Sequence, residues 1–232
     1  MLIFFIFFIF LVSLSFLHFK FKQFKDNYKL AYFFTFLLML AAATFRDPSV
    51  AVDGGTYRQW FESIPPIIQW LDLNFDNVLI GSAEVSFTIF SGIAKVFSNH
   101  VSSLFFIYAL ISVGSHFYSF NRYLVEGTVA NQRKTAYGLV FLAIILYYMN
   151  AYLVRDLGQM RFGAACAVGL LAIEPLYKRS HIKFFLITGI ATFLHATALS
   201  LLIPWLLSFT NLIRSRFLII LGIGISVLVG YI

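Results

Sequence analysis

The amino-acid sequence predicts an all-α fold, namely a polytopic integral membrane helix bundle. Hydrophobic residues make up 60% of the chain, and charged residues make up 12%, about half of what a typical soluble domain carries. The apolar residues also form long uninterrupted blocks, whereas the strands of a membrane barrel would alternate apolar and polar residues. A chain with so few charges cannot cover itself against water, so a soluble globular domain is excluded.

The first apolar block, 1–19, is long enough to cross a hydrocarbon core of about 30 Å. It lacks the basic start and the cleavage site of a secretory signal. Six more blocks follow, at 30–45, 101–120, 137–152, 162–177, 184–209 and 217–232. We expect about six to eight membrane segments, one or two of them re-entrant, in a single transmembrane domain over 1–232. Because the last block has no closing loop, we expect the chain to be C-terminally incomplete.

Lysine and arginine are concentrated in three short loops, 20–29, 121–136 and 178–183. The positive-inside rule places these loops in the cytoplasm. Residues 46–84 carry six acidic residues and two arginines, so we expect an extracytoplasmic loop there, with the N-terminus on the same side. The net charge of +7 is not a sign of nucleic-acid binding, because the basic residues lie in the loops that set the topology.

Two apolar segments do not fit a simple alternation of spans. Segment 78–98 is interrupted by Glu84, Gly92 and Lys95, and a full crossing would reverse the side of every later loop. We predict a re-entrant or surface-lying helix. Segment 184–209 has basic residues at both ends, and it is either one tilted span or a hairpin that turns near His195. We favour the broken or hairpin form, since irregular backbone is tolerated at membrane depth where it lines a cavity.

Few sequence features point to soluble-enzyme chemistry. The chain has no P-loop, HExxH, CxxC or GxSxG motif, and we expect neither a metal nor a cofactor. Cys166 is the only cysteine, so an intrachain disulfide is excluded, and we expect it to be a packed thiol.

Three polar clusters are predicted at the outer face. In the first, Arg46, Asp47 and Asp53 lie in a Pro- and Gly-containing turn, and aromatic residues follow from Tyr57 onward. Carboxylates beside aromatic rings are typical of a sugar site, because they accept hydrogen bonds from hydroxyls and offer flat faces to the sugar ring. The alternative is an amphipathic helix in the membrane interface with its aromatic belt.

The second cluster holds Arg155 and Arg161, on a side where the positive-inside rule disfavours them. Either they snorkel or pair with Asp156, or their planar guanidinium groups bind an anionic substrate. The third cluster surrounds His195 inside an apolar block. An intramembrane histidine is a functional hypothesis by default, and the alternative is a hydrogen-bonded histidine between helices.

Together these clusters resemble the EpsG family of exopolysaccharide polymerases, which are related in role to Wzy-type O-antigen polymerases. The resemblance covers residues 46–216. It rests on the motifs FRDPSVAVDGGTY and RDLGQMRFGAA, on Glu84 before an apolar helix, and on KRSHIKFF leading to ATFLHATALSLLIPWLL. It implies a membrane glycan polymerase, a glycosyltransferase that joins undecaprenyl-diphosphate-linked oligosaccharides at the outer face of the bacterial cytoplasmic membrane.

The resemblance also implies roles for individual residues. Arg155 and Arg161 would bind the diphosphate, and His195 would deprotonate the acceptor hydroxyl, with Asp53 or Glu84 as the alternative base. The residues expected to shape the sugar site are Arg46, Asp47 and Tyr57. The expected partners are the lipid-linked oligosaccharide, membrane lipid, and a flippase or a chain-length regulator, but no nucleic acid.

Three other functions stay open at this point. A transporter or flippase of lipid-linked sugar would use the arginines as an anion path, although the repeat symmetry common in transporters is not visible in the sequence. A ligase of the O-antigen type would transfer a finished glycan to another lipid, and the sequence does not separate it from a polymerase. A non-catalytic scaffold would tolerate changes in the outer polar residues.

Overall fold

The computed structural model describes residues 2–20, 28–50, 53–72, 85–126 and 133–209. Over these ranges the protein is all-helical without a β-strand, which confirms the all-α part of the predicted fold class for this part of the chain. The α-helices are α1 (Leu2–Lys20), α2 (Tyr28–Thr44), α3 (Gly54–Ser63), α4 (Val85–Phe97), α5 (Ser102–Phe120), α6 (Arg133–Tyr147), α7 (Met160–Leu170), α8 (Ile173–Tyr177), α9 (His181–Leu194) and α10 (Leu202–Leu207). Short 3₁₀-helices lie at Pro48–Val50, Ile67–Asp72 and Ala196–Leu201, and π-helix extends α5 over Asn121–Glu126 and α6 over Tyr148–Asp156.

Three helical runs among the described residues are long and apolar enough to cross a membrane. They are Ser102–Glu126, Ala136–Asp156 and Met160–Tyr177. Their 18 to 25 residues correspond to about 27–37 Å of helix, which matches a hydrocarbon core of about 30 Å. The expected total of about six to eight membrane segments stays a prediction.

Helix α5 occupies the centre of the bundle, packing along α2 and α7, while α1 packs along α6 and α9 along α7. It contributes to both apolar cores. One core lies between α1, α2, α5 and α6 and includes Phe117 and Phe141. The other lies between α3, α4, α5, α7 and α9 and includes Phe61 and Phe87. Because α5 belongs to both cores, it joins the two halves of the bundle.

The bundle has two ends, which we name after one arginine at each. At the Arg161 end, the guanidinium of Arg161 lies over the ring of Tyr57. At the Arg122 end, Arg122 pairs with Glu174 at 3.0 Å and with Glu126 at 2.7 Å. Arg161 and Tyr57 therefore lie at one end, and this ion-pair network lies at the other.

Residues that flank the three basic loops come together at the Arg122 end. Tyr28, at the start of α2, stacks on Tyr137 of α6 with ring centroids 4.2 Å apart, and its hydroxyl donates to Asn121 at 3.3 Å. Lys178 pairs with Glu174, which also holds Arg122. This arrangement supports the prediction that the three basic loops share one side, while the assignment of that side to the cytoplasm stays a prediction.

Segment 184–209 is a hairpin that turns at His195. Helix α9 ends at Leu194, and His195 is extended, with φ −160° and ψ 130°. The returning chain brings Trp205 and Phe209 back to the start of α9. There Trp205 Nε1 donates to His181 Nδ1 at 3.1 Å, and the rings of His181 and Phe209 stack at 5.5 Å. Each arm is about 21 Å long, so the predicted broken or hairpin form is confirmed.

Helix α4 covers the second half of the predicted re-entrant segment. Its 13 residues span about 20 Å, and the re-entrant or surface-lying form of segment 78–98 stays a prediction. Lys95 donates to the backbone carbonyl of Glu62 at 3.0 Å, so it neutralises the carbonyl end of α3. Gly92 lets Trp70 pack on α4, since a Cβ there would lie 2.6 Å from the indole ring. Residues 78–84 and the last apolar block, 217–232, lie outside the described ranges.

Candidate functional site

Tyr57 is the centre of the polar cluster at the Arg161 end. Its hydroxyl lies 3.4 Å from Oδ2 of Asp53, to which it donates, and it accepts a hydrogen bond from Arg161. Asp53 directly precedes α3, and the four-residue spacing places it on the same face of the helix as Tyr57. The structure therefore brings together a carboxylate, a phenol and a guanidinium, all three of which the sequence marked as candidates.

Aromatic rings surround the guanidinium of Arg161. Its Cζ lies 5.5 Å from the ring centroids of Tyr57 and Trp60 and 5.8 Å from that of Phe87, within cation–π range. Tyr57 is only 2% exposed and stacks on the fully buried Phe87, so its ring is not available to a sugar. Trp60 is partly buried and keeps some of its ring at the surface. Phe87 is not among the candidates from the sequence, because nothing distinguishes it from the other apolar residues of α4.

Arg46 is a buried cation next to this cluster. It is 8% exposed, lies over the ring of Phe105 at 4.1 Å, and donates from Nη1 to the backbone carbonyl of Ala43 at 2.7 Å. Within the described ranges, neither Nε nor Nη2 has a hydrogen-bond partner. Burial lowers the pKa of Arg46 to about 10, against the attraction of groups that include Asp156. Arg46 therefore stays positively charged at neutral pH.

Asp47 and Glu84 are two further candidates from the sequence. Asp47 is exposed and accepts a hydrogen bond from the backbone N–H of Ser49 at 2.8 Å, which lowers the pKa of its carboxyl group. This is a local turn contact directly after Arg46. Glu84 lies outside the described residues, so its role as an alternative base stays a prediction.

Arg155 has different neighbours from Arg161. Its Cζ lies 4.8 Å from the ring centroid of Phe162, and its Nη1 lies 3.7 Å from Sγ of Cys166. It lines a cavity of about 170 Å³ between α5, α6 and α7, together with Asp156 and Cys166. The two arginines that the sequence analysis paired as a diphosphate site thus contact two separate sets of residues.

Asp156 is the residue whose importance the sequence analysis underrated. It is 3% exposed, and both of its carboxylate oxygens accept hydrogen bonds. Ser112 of α5 donates to Oδ1 at 2.7 Å, and the hydroxyl of Tyr147 of α6 donates to Oδ2. From the sequence, Asp156 is expected only as a pairing partner for the arginines. The available signal was a carboxylate at the end of a long apolar helix, where an unpartnered charge is costly.

His195 occupies the turn of the hairpin. Its Nδ1 accepts the backbone N–H of Thr197 at 3.3 Å and lies 2.9 Å from Thr197 Oγ1. A backbone N–H can only donate, so we infer that a neutral ring carries its proton on Nε2. The imidazole ring and the ring of Phe162 pack edge to face, with their centroids 5.5 Å apart. Phe162 directly follows Arg161 in the chain. His195 therefore presents a hydrogen-bond donor in this arrangement, rather than the acceptor that a general base needs.

This end of the bundle is suited to binding an anionic group that is joined to a ring. Arg46 and Arg161 supply positive charge, Asp53 supplies an acceptor for hydroxyls, and Trp60 supplies an aromatic surface. Within the ranges described, no group of three or more His, Cys, Asp or Glu residues is placed to hold a metal ion.

An all-helical bundle with membrane-length apolar helices and a charged, aromatic site at one end defines a membrane protein. The EpsG family model matches residues 29–232, most of the chain, and the protein belongs to the EpsG family. This match confirms the resemblance drawn from the motifs and assigns the protein to polysaccharide biosynthesis at a membrane. Searches of curated proteins and of solved structures returned no match to the chain.

Proposed function

We propose that the protein is a glycan polymerase of exopolysaccharide or O-antigen biosynthesis. As a multi-pass protein of the bacterial cytoplasmic membrane, it joins polyprenyl-diphosphate-linked oligosaccharide repeat units at the extracytoplasmic face. One observation carries this proposal: Asp53, Tyr57, Trp60 and Arg161 form a single cluster at the end of the bundle away from Arg122. The cluster combines the groups that a sugar diphosphate requires.

The proposed reaction is a glycosyl transfer between two lipid-linked units. A hydroxyl oxygen of the acceptor unit attacks the anomeric carbon of the donor glycan and forms the new glycosidic bond. The bond between that carbon and the diphosphate oxygen breaks, and polyprenyl diphosphate leaves with the electron pair. Because diphosphate is a good leaving group, the protein has mainly to orient the reactants and to balance the developing negative charge.

Arg161 is the proposed diphosphate ligand at this site. Its guanidinium group can donate two parallel hydrogen bonds to phosphate oxygens, which the ammonium group of a lysine cannot match. Trp60 packs against the sugar ring, while Tyr57 orients Arg161 and Asp53 through its hydroxyl. Arg46 adds a positive charge beside the cluster. Because Arg46 is buried, its charge acts on neighbouring groups more strongly than it would in water.

Asp53 is the proposed acceptor of the hydroxyl proton. A carboxylate can take this proton as the acceptor oxygen attacks, and Asp53 shares the Tyr57 hydroxyl with Arg161. His195 is proposed as a donor to a sugar or phosphate oxygen through Nε2, because its Nδ1 is occupied by Thr197. Arg155, beside Phe162 and the cavity, is proposed to contact the lipid-linked substrate separately from Arg161.

The proposal is tested with the purified full chain in proteoliposomes. The substrate is a polyprenyl-diphosphate-linked repeat unit with a fluorescent sugar, and the products are separated by size. We expect a ladder of longer lipid-linked glycans, with one polyprenyl diphosphate released for each new linkage. Protein-free liposomes should give no ladder, and Arg161→Ala protein at equal abundance should extend the ladder much more slowly than the unaltered protein.

Each rival function has its own outcome in the same system. Movement of the labelled unit between leaflets without a ladder would identify a flippase and overturn the proposal. Transfer of the glycan to a different added lipid, again without a ladder, would identify a ligase. A ladder of equal length from Arg161→Ala protein would remove the proposed site from the mechanism.

A further inference from the structure

The geometry points to a second sugar-binding site in the cavity between α5, α6 and α7, with the imidazole of His116 and the guanidinium of Arg155 as its polar contacts. The site takes an uncharged ring that carries hydroxyl groups. The inference deepens the proposed function and rests on it for the source of the sugar, a unit of the lipid-linked glycan other than the one at Trp60. Binding of a sugar in the cavity can be tested without any catalysis.

The cavity has a volume of about 170 Å³ and walls from three helices. It is lined by Ala151 and Arg155 from the π-helical end of α6, by Gly163 and Cys166 from α7, and by His116 from α5. Arg155 and Cys166 are partly exposed, so the cavity is reached from the surface of the bundle. At roughly 30 Å³ for each molecule of liquid water, the space holds about five waters or a single sugar ring.

His116 brings an unused hydrogen-bond acceptor to this cavity. Its side chain is buried, and its ring stacks on Tyr147 with the centroids 4.0 Å apart. Nδ1 lies 3.0 Å from the backbone carbonyl oxygen of Ser112, which can only accept, so Nδ1 donates. In the neutral ring Nε2 is then an acceptor, and it has no hydrogen-bond partner among the residues described. Because a buried acceptor without a partner is costly, a ligand that donates to Nε2 is favoured.

Arg155 brings hydrogen-bond donors to the same cavity. Its Nη1 lies 3.7 Å from Sγ of Cys166, and its Cζ lies 4.8 Å from the ring centroid of Phe162. In the part of the chain that the structure describes, Nε and Nη2 have no hydrogen-bond partner. A hydroxyl group can accept from the guanidinium and donate to Nε2 of His116, so neighbouring hydroxyls on one ring satisfy both residues.

The charges around the cavity favour an uncharged ligand. Arg155 supplies a positive charge, and the carboxylate of Asp156, which also lines the cavity, supplies a negative charge. Ser112 and Tyr147 donate to this carboxylate as neutral hydroxyls, so neither of them cancels its charge. A diphosphate would be attracted by Arg155 and repelled by Asp156. A sugar avoids this repulsion, and its hydroxyls can donate to the carboxylate as well.

The position of the cavity favours a sugar over water alone. Phe162 directly follows Arg161 in the chain, and its ring packs on both Arg155 and His195. The cavity therefore adjoins the site proposed for the diphosphate. In a lipid-linked oligosaccharide the diphosphate is bonded directly to a sugar, so a sugar site is expected beside the diphosphate site.

The test uses Cys166, the only cysteine of the chain, as a reporter in the cavity wall. Purified full-length protein in detergent is treated with methyl methanethiosulfonate, and modification of Cys166 is followed by mass spectrometry. Glucose, galactose, N-acetylglucosamine and N-acetylgalactosamine are added separately, each in excess. At least one of them should slow the modification more than about threefold, since a bound ring covers the thiol. Inorganic diphosphate at the same concentration should leave the rate within about twofold.

Two outcomes of this experiment would overturn the inference. If none of the four sugars protects Cys166, the cavity holds water only. If inorganic diphosphate protects Cys166 as well as the sugars do, or better, the cavity is an anion site.

The role of His116 is tested with a pair of matched variants. His116→Phe keeps a ring to stack on Tyr147 and removes Nε2, so the rates with and without sugar should become equal. His100→Phe makes the same substitution at an exposed histidine in the turn before α5, and it should keep the protection. Equal protection in the two variants would contradict the assignment of His116.

A third variant keeps the inference testable if His116→Phe folds poorly. Ala151→Leu narrows the cavity from α6 without removing a polar group, so it should also abolish protection by the sugar. Unchanged protection would show that the sugar binds elsewhere. In the proteoliposome assay, His116→Phe should raise the KM for the lipid-linked unit. If the unaltered chain does not polymerise, the proposed function fails, while the protection of Cys166 still decides whether the cavity binds a sugar.

Discussion

The hydroxyl of Tyr57 lies 3.4 Å from Oδ2 of Asp53, one helical turn earlier in the chain. Burial raises the pKa of Tyr57, so the hydroxyl keeps its proton at neutral pH. It donates a hydrogen bond to the carboxylate of Asp53. Arg161, from the start of α7, donates to the same oxygen atom. The hydroxyl oxygen of Tyr57 thus has two partners. Asp53 lies one helical turn away in the sequence, whereas Arg161 comes from α7, a distant part of the chain.

The first prediction concerns Arg161. Replacement by alanine should strongly slow glycan polymerisation, so that lipid-linked single repeats accumulate. Arg161→Lys should recover little, because it keeps the charge and loses the two parallel donors. The loss of a charge-assisted hydrogen bond amounts to about 1.5–3 kcal/mol, or roughly 10- to 150-fold in rate. The rate is measured as linkages formed per unit time at equal protein abundance.

Arg58 provides the matched control for Arg161. It is also next to the cluster in sequence, but its side chain is 63% exposed and pairs with Glu62. An exposed ion pair contributes little, so Arg58→Ala should leave the rate within about twofold. Equal losses in Arg58→Ala and Arg161→Ala would indicate a general charge requirement and would exclude a specific role for Arg161.

The second prediction concerns packing at Gly163. Gly163→Ala should destabilise the protein by about 1–3 kcal/mol, because the added methyl group overlaps the Asp156 carboxylate and the adjacent backbone. The measurement is the thermal unfolding midpoint in detergent. Gly114→Ala on α5 is the control. A Cβ there has no neighbour within 4 Å, and alanine favours the helix by about 0.5–1 kcal/mol. Equal midpoints for the two variants would refute the close approach of α7 to Asp156.

The third prediction separates two roles of His195. Asn can replace the ring as the acceptor for the Thr197 N–H, so His195→Asn should retain the stability of the hairpin turn. His195→Ala should lose about 1 kcal/mol, as for a missing N-cap. Both variants should lose polymerisation, because neither retains the imidazole donor. Thermal midpoints and product ladders are recorded together. Full activity in His195→Asn would show that the residue serves only as a cap.

The fourth prediction concerns the topology of the hairpin. In a Cys166→Ser background, single cysteines at positions 181 and 208 should both react from the same side of the membrane. The stacking of His181 on Phe209 places the two ends of the hairpin together. A cysteine at position 60, near the Arg161 end, should react from the opposite side. Labelling of positions 181 and 208 from opposite sides would require a full crossing and contradict the hairpin.

Several features of the protein follow from the sequence because they depend on neighbouring residues. Helix formation and membrane affinity are sums over contiguous apolar residues, so the blocks at 30–45 and 101–120 correspond closely to α2 and α5. The basic loops and the break of the apolar segment at His195 also depend on residues that are neighbours in the sequence. The identities of Asp53, Tyr57 and Arg161 as candidates also came from residue types and motifs.

Only the tertiary structure decided which of these residues meet. Arg155 and Arg161 are close in sequence, yet Arg155, in the π-helical extension of α6, reaches Cys166, whereas Arg161, at the start of α7, lies over Tyr57. The burial of Asp156 depends on donors from two helices and on a glycine in a third. Partnerships of this kind depend on how each helix is rotated and where distant helices cross. The sequence determined what could be buried in the membrane, and packing between remote segments determined which charged side chains became buried.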